Sequence, residues 1–407
     1  MNNEYDIIIF SLTRWDHPTS GSSLAFAKEF SRKHRVFFVD RPFSIKDIFN
    51  DYETFDLKKR LYAILFRHNP FINVNTGYSN FTVAIPGLCL PLNFLPKGFI
   101  FNFFNKFNQW VVKACIRRMI SKFGIKNYIY INYFNPVLLP TLTNIRPKPL
   151  ANIYYITNDI RLSKYVSKHG VAGEEKALEF ADFVLVSSKF QFKRLISQKS
   201  NIHYIPNGVD YEFYEASRVH SFQKPYDLLN TGDTKIIMFC GYLSSIRIDY
   251  QLLKLICETY PHYLVVIVGT YEERDLLNYR LENISNLIIL GNRRYESMPG
   301  YLKAASVTII PYLCNELNKS VYPLKLNEYL AMGKPVVTTH FSEDLDGFSE
   351  IIHIADTYDE FIDSIQIAID TDNENLINIR FETAAKNTWK RRVEHMENIF
   401  SKRITIN

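Results

Sequence analysis

Apolar runs of a few residues recur along the chain, with polar turns and helix-spaced apolar positions between them. Residues 7–10, 36–39, 81–85, 128–132, 153–156, 183–186 and 203–205 read as strands, and the amphipathic stretch 22–33 as the first helix. Runs of this kind leave no polar face for water, so the sheet they build is parallel and covered by helices on both sides. The alternation halts at Pro206-Asn207-Gly208, a turn signal, and residues 211–233 are polar and weakly periodic. It then resumes. Strands are expected at 235–240, 264–268, 287–290, 307–310, 335–338 and 351–354, with helical patterns at 250–259, 272–282, 296–304, 323–332 and 359–369. The fold class is therefore α/β: two Rossmann-like, doubly wound parallel sheets, one in residues 1–206 and one in 207–381. A last helix near 382–402 carries Trp389, Val393, Met396 and Phe400 at helical spacing. The segment 382–407 is expected to pack back on the first domain.

The length of 407 residues is enough for two separate cores. The net charge of +6 favours anionic partners such as nucleotides or phospholipid headgroups. Basic runs interleaved with aromatics, as in nucleic-acid binders, are confined to one segment, so nucleic acid is not an expected partner. Cys89, Cys115, Cys240, Cys257 and Cys314 are scattered and form no C-x-x-C pair, which excludes a zinc knuckle or a disulfide framework and suits a reducing cytoplasm. The polar start of the chain shows no signal peptide, and no window reaches the roughly 18 apolar residues of a spanning helix. A cytoplasmic chain, soluble or peripheral on the inner face of the membrane, is expected.

The one basic and aromatic segment is 88–122. It holds Phe94, Phe99, Phe101, Phe103, Phe104, Phe107 and Trp110 together with Lys97, Lys106, Lys113, Arg117, Arg118 and Lys122. Two readings stand: a surface for an anionic membrane, or an ordinary core helix with a solvated basic face.

The segment from Ser320 to Pro335 carries the strongest chemical signal. Pro323 suits the first position of a helix, where its missing N–H costs nothing. Gly333 and Pro335 stop that helix and start a strand. Leu324 and Lys325 would then present free N–H groups at a helix N-terminus, a ready site for phosphate. Glu328, about one turn further, can accept hydrogen bonds from both hydroxyls of a ribose.

With these residues in this order, the segment resembles the donor-binding motif of the family 4 glycosyltransferases of the GT-B fold, where two Glu stand eight positions apart. Glu328 matches the second, which in that family binds the nucleotide ribose. The first falls at Ser320, a departure that bears on how the donor sugar is held. The string S-x-x-P-x-K-x-x-E-Y-x-A-x-G-K-P is similar to a branch of bacterial polysaccharide glycosyltransferases that includes the teichuronic-acid type. Phe239-Cys240-Gly241-Tyr242 through Arg247 resembles the family's strand and Gly loop, where two basic residues grip a diphosphate. Tyr242 replaces the first of them and Arg247 stands at the second. Ile267-Val268-Gly269, then Leu290-Gly291-Asn292 with Met298-Pro299 and Tyr301-Leu302, match the elements around the base. Ala181-Asp182, Ser187-Ser188 and Ile205 to Asp210 resemble the family more loosely and read as structural.

In the first domain, the loop from Thr13 to Ser22 would face the cleft, with Gly21 and Ser22 near the donor phosphates and Trp15, Asp16 and His17 on the acceptor side. Asn158-Asp159 would face it too. The resemblance thus implies Arg247, Glu328 and Asp16 as catalytic residues, and Gly21, Gly241, Gly269, Ser320, Pro323, Leu324 and Lys325, with Arg247 and Glu328, as donor-binding ones. It implies a sugar moved from a nucleoside-diphosphate donor to a cell-surface polysaccharide or lipid-linked glycan, with retention of configuration. No cofactor beyond the donor is expected, and no metal: Asp344-Leu345-Asp346 and Asp370-Thr371-Asp372 have D-x-D spacing but read as turn and capping residues. Two alternatives remain, a catalytically silent glycan-binding or scaffold subunit and a sugar-nucleotide 2-epimerase.

Overall fold

The computed structural model describes residues 5–16, 21–50, 57–65, 70–74, 80–163, 165–219 and 224–404. The chain divides into two compact units. One comprises Met1–Ser187, Gln191–Ile205 and Val393–Asn407, the other Ser188–Phe190 and Pro206–Arg392.

The first unit is built on β1 (Asp6–Ser11), β2 (Val36–Val39), β3 (Phe71–Asn73), β4 (Phe81–Ala84), β5 (Tyr128–Tyr133), β6 (Ala151–Ile156), β7 (Phe183–Val186) and β8 (Ile202–Tyr204). They lie in the order β3-β4-β2-β1-β5-β6-β7-β8. All neighbours are parallel except β3, which pairs antiparallel with β4 at the edge. The central strands are buried along their whole length, as their unbroken apolar sequences require. The long helix Phe99–Phe123 covers one face, packing Val112, Cys115, Ile116 and Met119 against Ile8, Phe37 and Tyr130.

The second unit contains β9 (Ile236–Cys240), β10 (Leu264–Val268), β11 (Leu287–Ile289), β12 (Val307–Ile310), β13 (Val336–Thr339) and β14 (His353–Ala355). Their order is β11-β10-β9-β12-β13-β14, and every pair is parallel. The chain leaves β9 towards β10 and β11, then returns past β9 to β12. The strand order reverses between β9 and β12, and the carboxyl end of a sheet at such a point is where open α/β sheets bind ligands.

The expected final helix is in fact two. Glu374–Lys386 ends at Asn387, and Trp389–Ile404 begins afresh. Thr388 causes the break: its hydroxyl accepts from Arg391 N–H at 3.2 Å and caps the new helix. Asn387 and Trp389 meanwhile exchange backbone bonds with Val209. Trp389, Val393, Met396 and Phe400 are all buried. Phe400 stacks on Phe30, and Glu397 accepts from His34 and Lys33 within the first unit.

Candidate functional site

Three strand tips of the second unit end in glycine, and the site grows from them. Gly241 follows β9, Gly269 follows β10 and Gly291 lies just past β11. Gly241 N–H donates to the Val268 carbonyl and Gly269 N–H to the Gly291 carbonyl, so the tips are stitched edge to edge. A Cβ on Gly269 would stand 2.0 Å from the Gly241 carbonyl oxygen, closer than any side chain tolerates.

Above this floor lies the helix Leu324–Ala331. Its seat is fixed by polar contacts that leave its first turn open. Tyr329 Oη accepts from Cys240 N–H at 2.9 Å, tying the helix to the end of β9. Asn327 donates to the Asn207 carbonyl and accepts from Tyr322 Oη, which fastens the helix to the Pro206-Asn207-Gly208 turn. Gly208 is obligatory there, since a Cβ would lie 2.6 Å from Trp389 N. Pro323 is the residue before the first turn rather than its first member: its ψ of 102° is extended, not helical. The N–H groups of Leu324 and Lys325 are among those a helix start leaves without an internal acceptor.

Lys325 takes a path that sequence spacing does not reveal. Its side chain crosses the bare Cα of Gly241, so that a Cβ there would sit 1.9 Å from Lys325 Cε and 2.7 Å from Nζ. The ammonium lies 5.8 Å from the centroid of the Phe239 ring. Arg247 brings a second cation to the loop after β9. Its Nη1 donates to Asn318 Oδ1 at 3.3 Å, while its carbonyl accepts from Asn318 Nδ2 and Leu313 N–H. Burial pushes the Arg247 guanidinium below its ordinary value. Among the described residues neither cation has a carboxylate within ion-pair distance.

Glu328 completes the constellation. It is half-buried, and its carboxylate has no hydrogen-bond partner among the described residues. Burial pushes its pKa up to about 7, with the charge of Lys325 one turn away pulling it back. Burial holds Tyr214, Tyr295 and Cys240 protonated, and the charge of Glu328 adds to that effect. Tyr295 stacks on Phe213 with ring centroids 5.1 Å apart and meets Tyr214 edge-on at 6.1 Å. Two cations, a carboxylate without a partner and an aromatic wall thus lie at or beside the carboxyl end of one sheet.

The other expected site residues are placed differently. Ser320 is wholly buried, with its hydroxyl donated to the Leu317 carbonyl and its own carbonyl accepting from Ser188. Tyr242 donates its hydroxyl to the Glu272 carboxylate. Gly21 precedes the helix Ser22–Phe30, and a Cβ there would make only an ordinary 3.5 Å contact with Thr13. Asp159 caps the turn Ile160–Leu162 and pairs with Arg161, while Asn158 donates to Thr157 Oγ1. His17 lies outside the described residues. Each D-x-D carboxylate has its own partner: Asp344 accepts from Lys189 N–H, Asp346 from His340, Asp370 from Gln366 and Asp372 from Arg380.

Asp16 is engaged on both oxygens by Arg60, at 2.6 Å each. The same guanidinium reaches Asp40, which is buried and also accepts from Trp15 N–H. Desolvation pushes Asp40 up to about 6 despite Arg60. This is a positioning network for the loop after β1, not a carboxylate held ready for proton transfer. Arg60→Met strands two neighbouring carboxylates in a dry site, and removing one partner of a buried pair costs about 3–5 kcal/mol. Urea denaturation of the variant should show the first unit's transition lowered by that amount and the second unit's unmoved.

Sheet order, helix cover and the glycine-tipped switch point together define the GT-B architecture, two Rossmann-like units of the glycosyltransferase type. The fold is shared across almost the whole chain with sucrose-phosphate synthase from Thermosynechococcus elongatus (TM-score 0.68, 14% identity, covering 99% of this chain and 100% of that one). It is shared with the Anabaena protein HepE in complex with UDP (0.61, 14%, 98% and 100%). It is shared also with trehalose-6-phosphate from E. coli bound with UDP-2-fluoro glucose (0.67, 11%, 97% and 99%). Residues 234–370, within the second unit, match the family described as Glycosyl transferases group 1. The chain is 28% identical over 186 residues to the "Putative teichuronic acid biosynthesis glycosyltransferase TuaH" of Bacillus subtilis (strain 168). That match spans 44% of this chain and 45% of the relative.

Proposed function

We propose that the chain is an enzyme that transfers a sugar from a nucleoside-diphosphate donor to a cell-surface polysaccharide or a lipid-linked glycan. One observation carries the reading: Lys325 lies across Gly241 beside the Glu328 carboxylate, Arg247 stands in the loop after β9, and among the described residues none of the three side chains has an oppositely charged group within ion-pair distance. Bare backbone lets a diphosphate approach closely, and the cations with the helix N-terminus neutralise it. Lys325 takes the place of the basic residue that Tyr242 replaces. Glu328 accepts from the ribose hydroxyls, and Tyr295, backed by the buried Tyr214, borders the nucleoside. UDP and UDP-2-fluoro glucose bound in structures of the same fold, and the similarity to a teichuronic acid biosynthesis glycosyltransferase, support a nucleotide-sugar donor and a glycan acceptor.

The transfer proceeds with retention, as in the family resembled. The bond from the anomeric carbon to the diphosphate oxygen breaks, the acceptor oxygen bonds to that carbon on the same face, and the acceptor's proton passes to the departing phosphate. No side-chain nucleophile takes part. With two cations at the diphosphate, neither a divalent ion nor a further cofactor is required. The competing reading, a silent glycan-binding or scaffold subunit, draws on Ser320, whose buried hydroxyl offers no carboxylate to a donor sugar. Thermal-shift measurement against UDP, GDP, ADP, CMP and their sugars in EDTA tests the proposal. At least one diphosphate should raise the melting temperature without metal. No response across the panel, or a response that appears only on adding manganese, overturns it.

A further inference from the structure

The long helix Phe99–Phe123 is built the wrong way round for water. In its first half the polar Asn105 and Asn108 face inward. Asn105 donates to the Val137 carbonyl, and Asn108 exchanges two bonds with the Leu90 backbone. The aromatic residues face outward: Phe99 is 82% exposed, Phe103 60% and Trp110 55%. With Phe107 they form a row at i, i+4, i+8 and i+11, one stripe of a helix. Phe94, also exposed, adjoins its start, where Lys168 holds the Phe94 carbonyl. A water-facing helix normally shows the opposite pattern, and a contiguous exposed apolar stripe of this kind marks a binding surface.

Charge identifies what the stripe meets. Arg117 and Arg118 lie seven residues past Trp110 and eleven past Phe107, so the outward line runs from aromatic into basic. From Leu57 to Asn158 the chain has thirteen Lys and Arg and not one Asp or Glu. The whole chain is only +6, so the remainder is net negative and the cations are gathered in this part of the first unit. A second copy of the chain would set cation against cation. An anionic bilayer matches both features: aromatic rings suit the boundary between headgroups and acyl chains, and Lys and Arg suit the headgroup layer. Among the described residues no helix is long and apolar enough to cross a membrane.

We infer that the outward stripe of Phe99–Phe123 is a monotopic docking surface, its aromatic half inserted into an anionic leaflet and its basic half lying on the headgroups. The inference stands on the first unit alone and does not depend on the donor reading.

The full chain is sedimented with phosphatidylglycerol–phosphatidylcholine vesicles, with pure phosphatidylcholine vesicles, and alone. It should pellet with the anionic vesicles, and lipids brominated along the acyl chain should quench Trp110. Phe99→Ser with Phe103→Ser and Phe107→Ser should cut partitioning at least about tenfold. These side chains are exposed, so the fold tolerates the changes, and the melting temperature and far-UV circular dichroism should be retained. Lys106→Glu with Arg118→Glu should cut binding to anionic vesicles at least about tenfold, since each charge is worth about fivefold at such a surface. Lys113 and Arg117 are left alone because they hold Thr143 and the Asn144 carbonyl. Wild-type protein that stays in the supernatant with anionic vesicles at low salt overturns the inference. So does pelleting that neither variant reduces, or binding to polyuridylate in place of vesicles.

Discussion

Lys325→Met is expected to weaken nucleoside-diphosphate binding by about 10- to 100-fold while leaving the second unit folded. The Met side chain can still lie across Gly241 and against the Phe239 ring, where the Lys stem now runs, so packing is retained and only the charge is lost. A hydrogen bond to a charged group is worth about 1.5–3 kcal/mol, and each 1.4 kcal/mol is a factor of ten in affinity. Titration calorimetry in EDTA reads the change directly. Arg247→Met should act in the same direction, and the pair together should leave affinity near the detection limit. An affinity in Lys325→Met equal to wild type removes Lys325 from the diphosphate site.

Glu328→Gln should have effects of opposite sign on stability and binding. The carboxyl, normally near 4.5, is pushed up to about 7 in the folded unit by burial. The folded state therefore holds this proton more tightly than the unfolded one. That contribution to stability is fully present below about pH 4.5 and is lost as pH rises through 7. At pH 8 the ligand-free wild type bears a half-buried, partnerless charge, so the neutral Gln variant should melt at a higher temperature there. Binding goes the other way. Only the ionised carboxylate accepts from both ribose hydroxyls, so wild-type affinity for a nucleoside-diphosphate sugar should climb up to about tenfold per unit as pH approaches 7 and level off above it. The diphosphate diester has no ionisation in that range, and the Gln variant should bind weakly with a flat profile. A sloping profile in the variant assigns the titration to another group.

Much of the architecture was legible in the sequence because its strands are buried on both faces. Val36–Val39, Phe183–Val186, Leu264–Val268 and Val307–Ile310 fall where the apolar runs place them. Edge strand β3 left no such run: Phe71 and Ile72 are only partly buried, and three residues carry no period. The two-helix ending was hidden because the apolar stripe begins only at Trp389 and Thr388 looks like any helical Thr. Among the candidate site residues, Glu328 and Arg247 were singled out by local motifs. Lys325 was readable as a helix-start N–H, but not as an ammonium laid over Gly241, since that contact joins distant parts of the chain. Asn318, Tyr214 and Tyr295 carry no local signal and become informative only once the sheet brings their loops together. Asp16 looked available in the sequence because its partner Arg60 sits in a helix, Leu57–Leu65, with no evident pattern. For residues 88–122 the sequence left core and interface both open, because the pattern does not say which side of the helix the rings take; Phe99, Phe103, Phe107 and Trp110 lie outward.

The glycine floor of the second unit also restricts where donor preference can be encoded. Gly269 has no space for a side chain while the Gly241 carbonyl stands behind it, and Gly241 has none while Lys325 lies across it. Gly269 is closed by backbone and Gly241 only by the movable end of Lys325, and under the proposed donor reading the backbone they expose treats any diphosphate alike. Selectivity for base or sugar must then be written in the surrounding walls: the stretch 292–298 that carries Tyr295, and the helix Tyr211–Val219 that carries Tyr214. Under that reading those walls can diversify around a constant grip on phosphate, so one scaffold can acquire new donors without rebuilding the part that holds them.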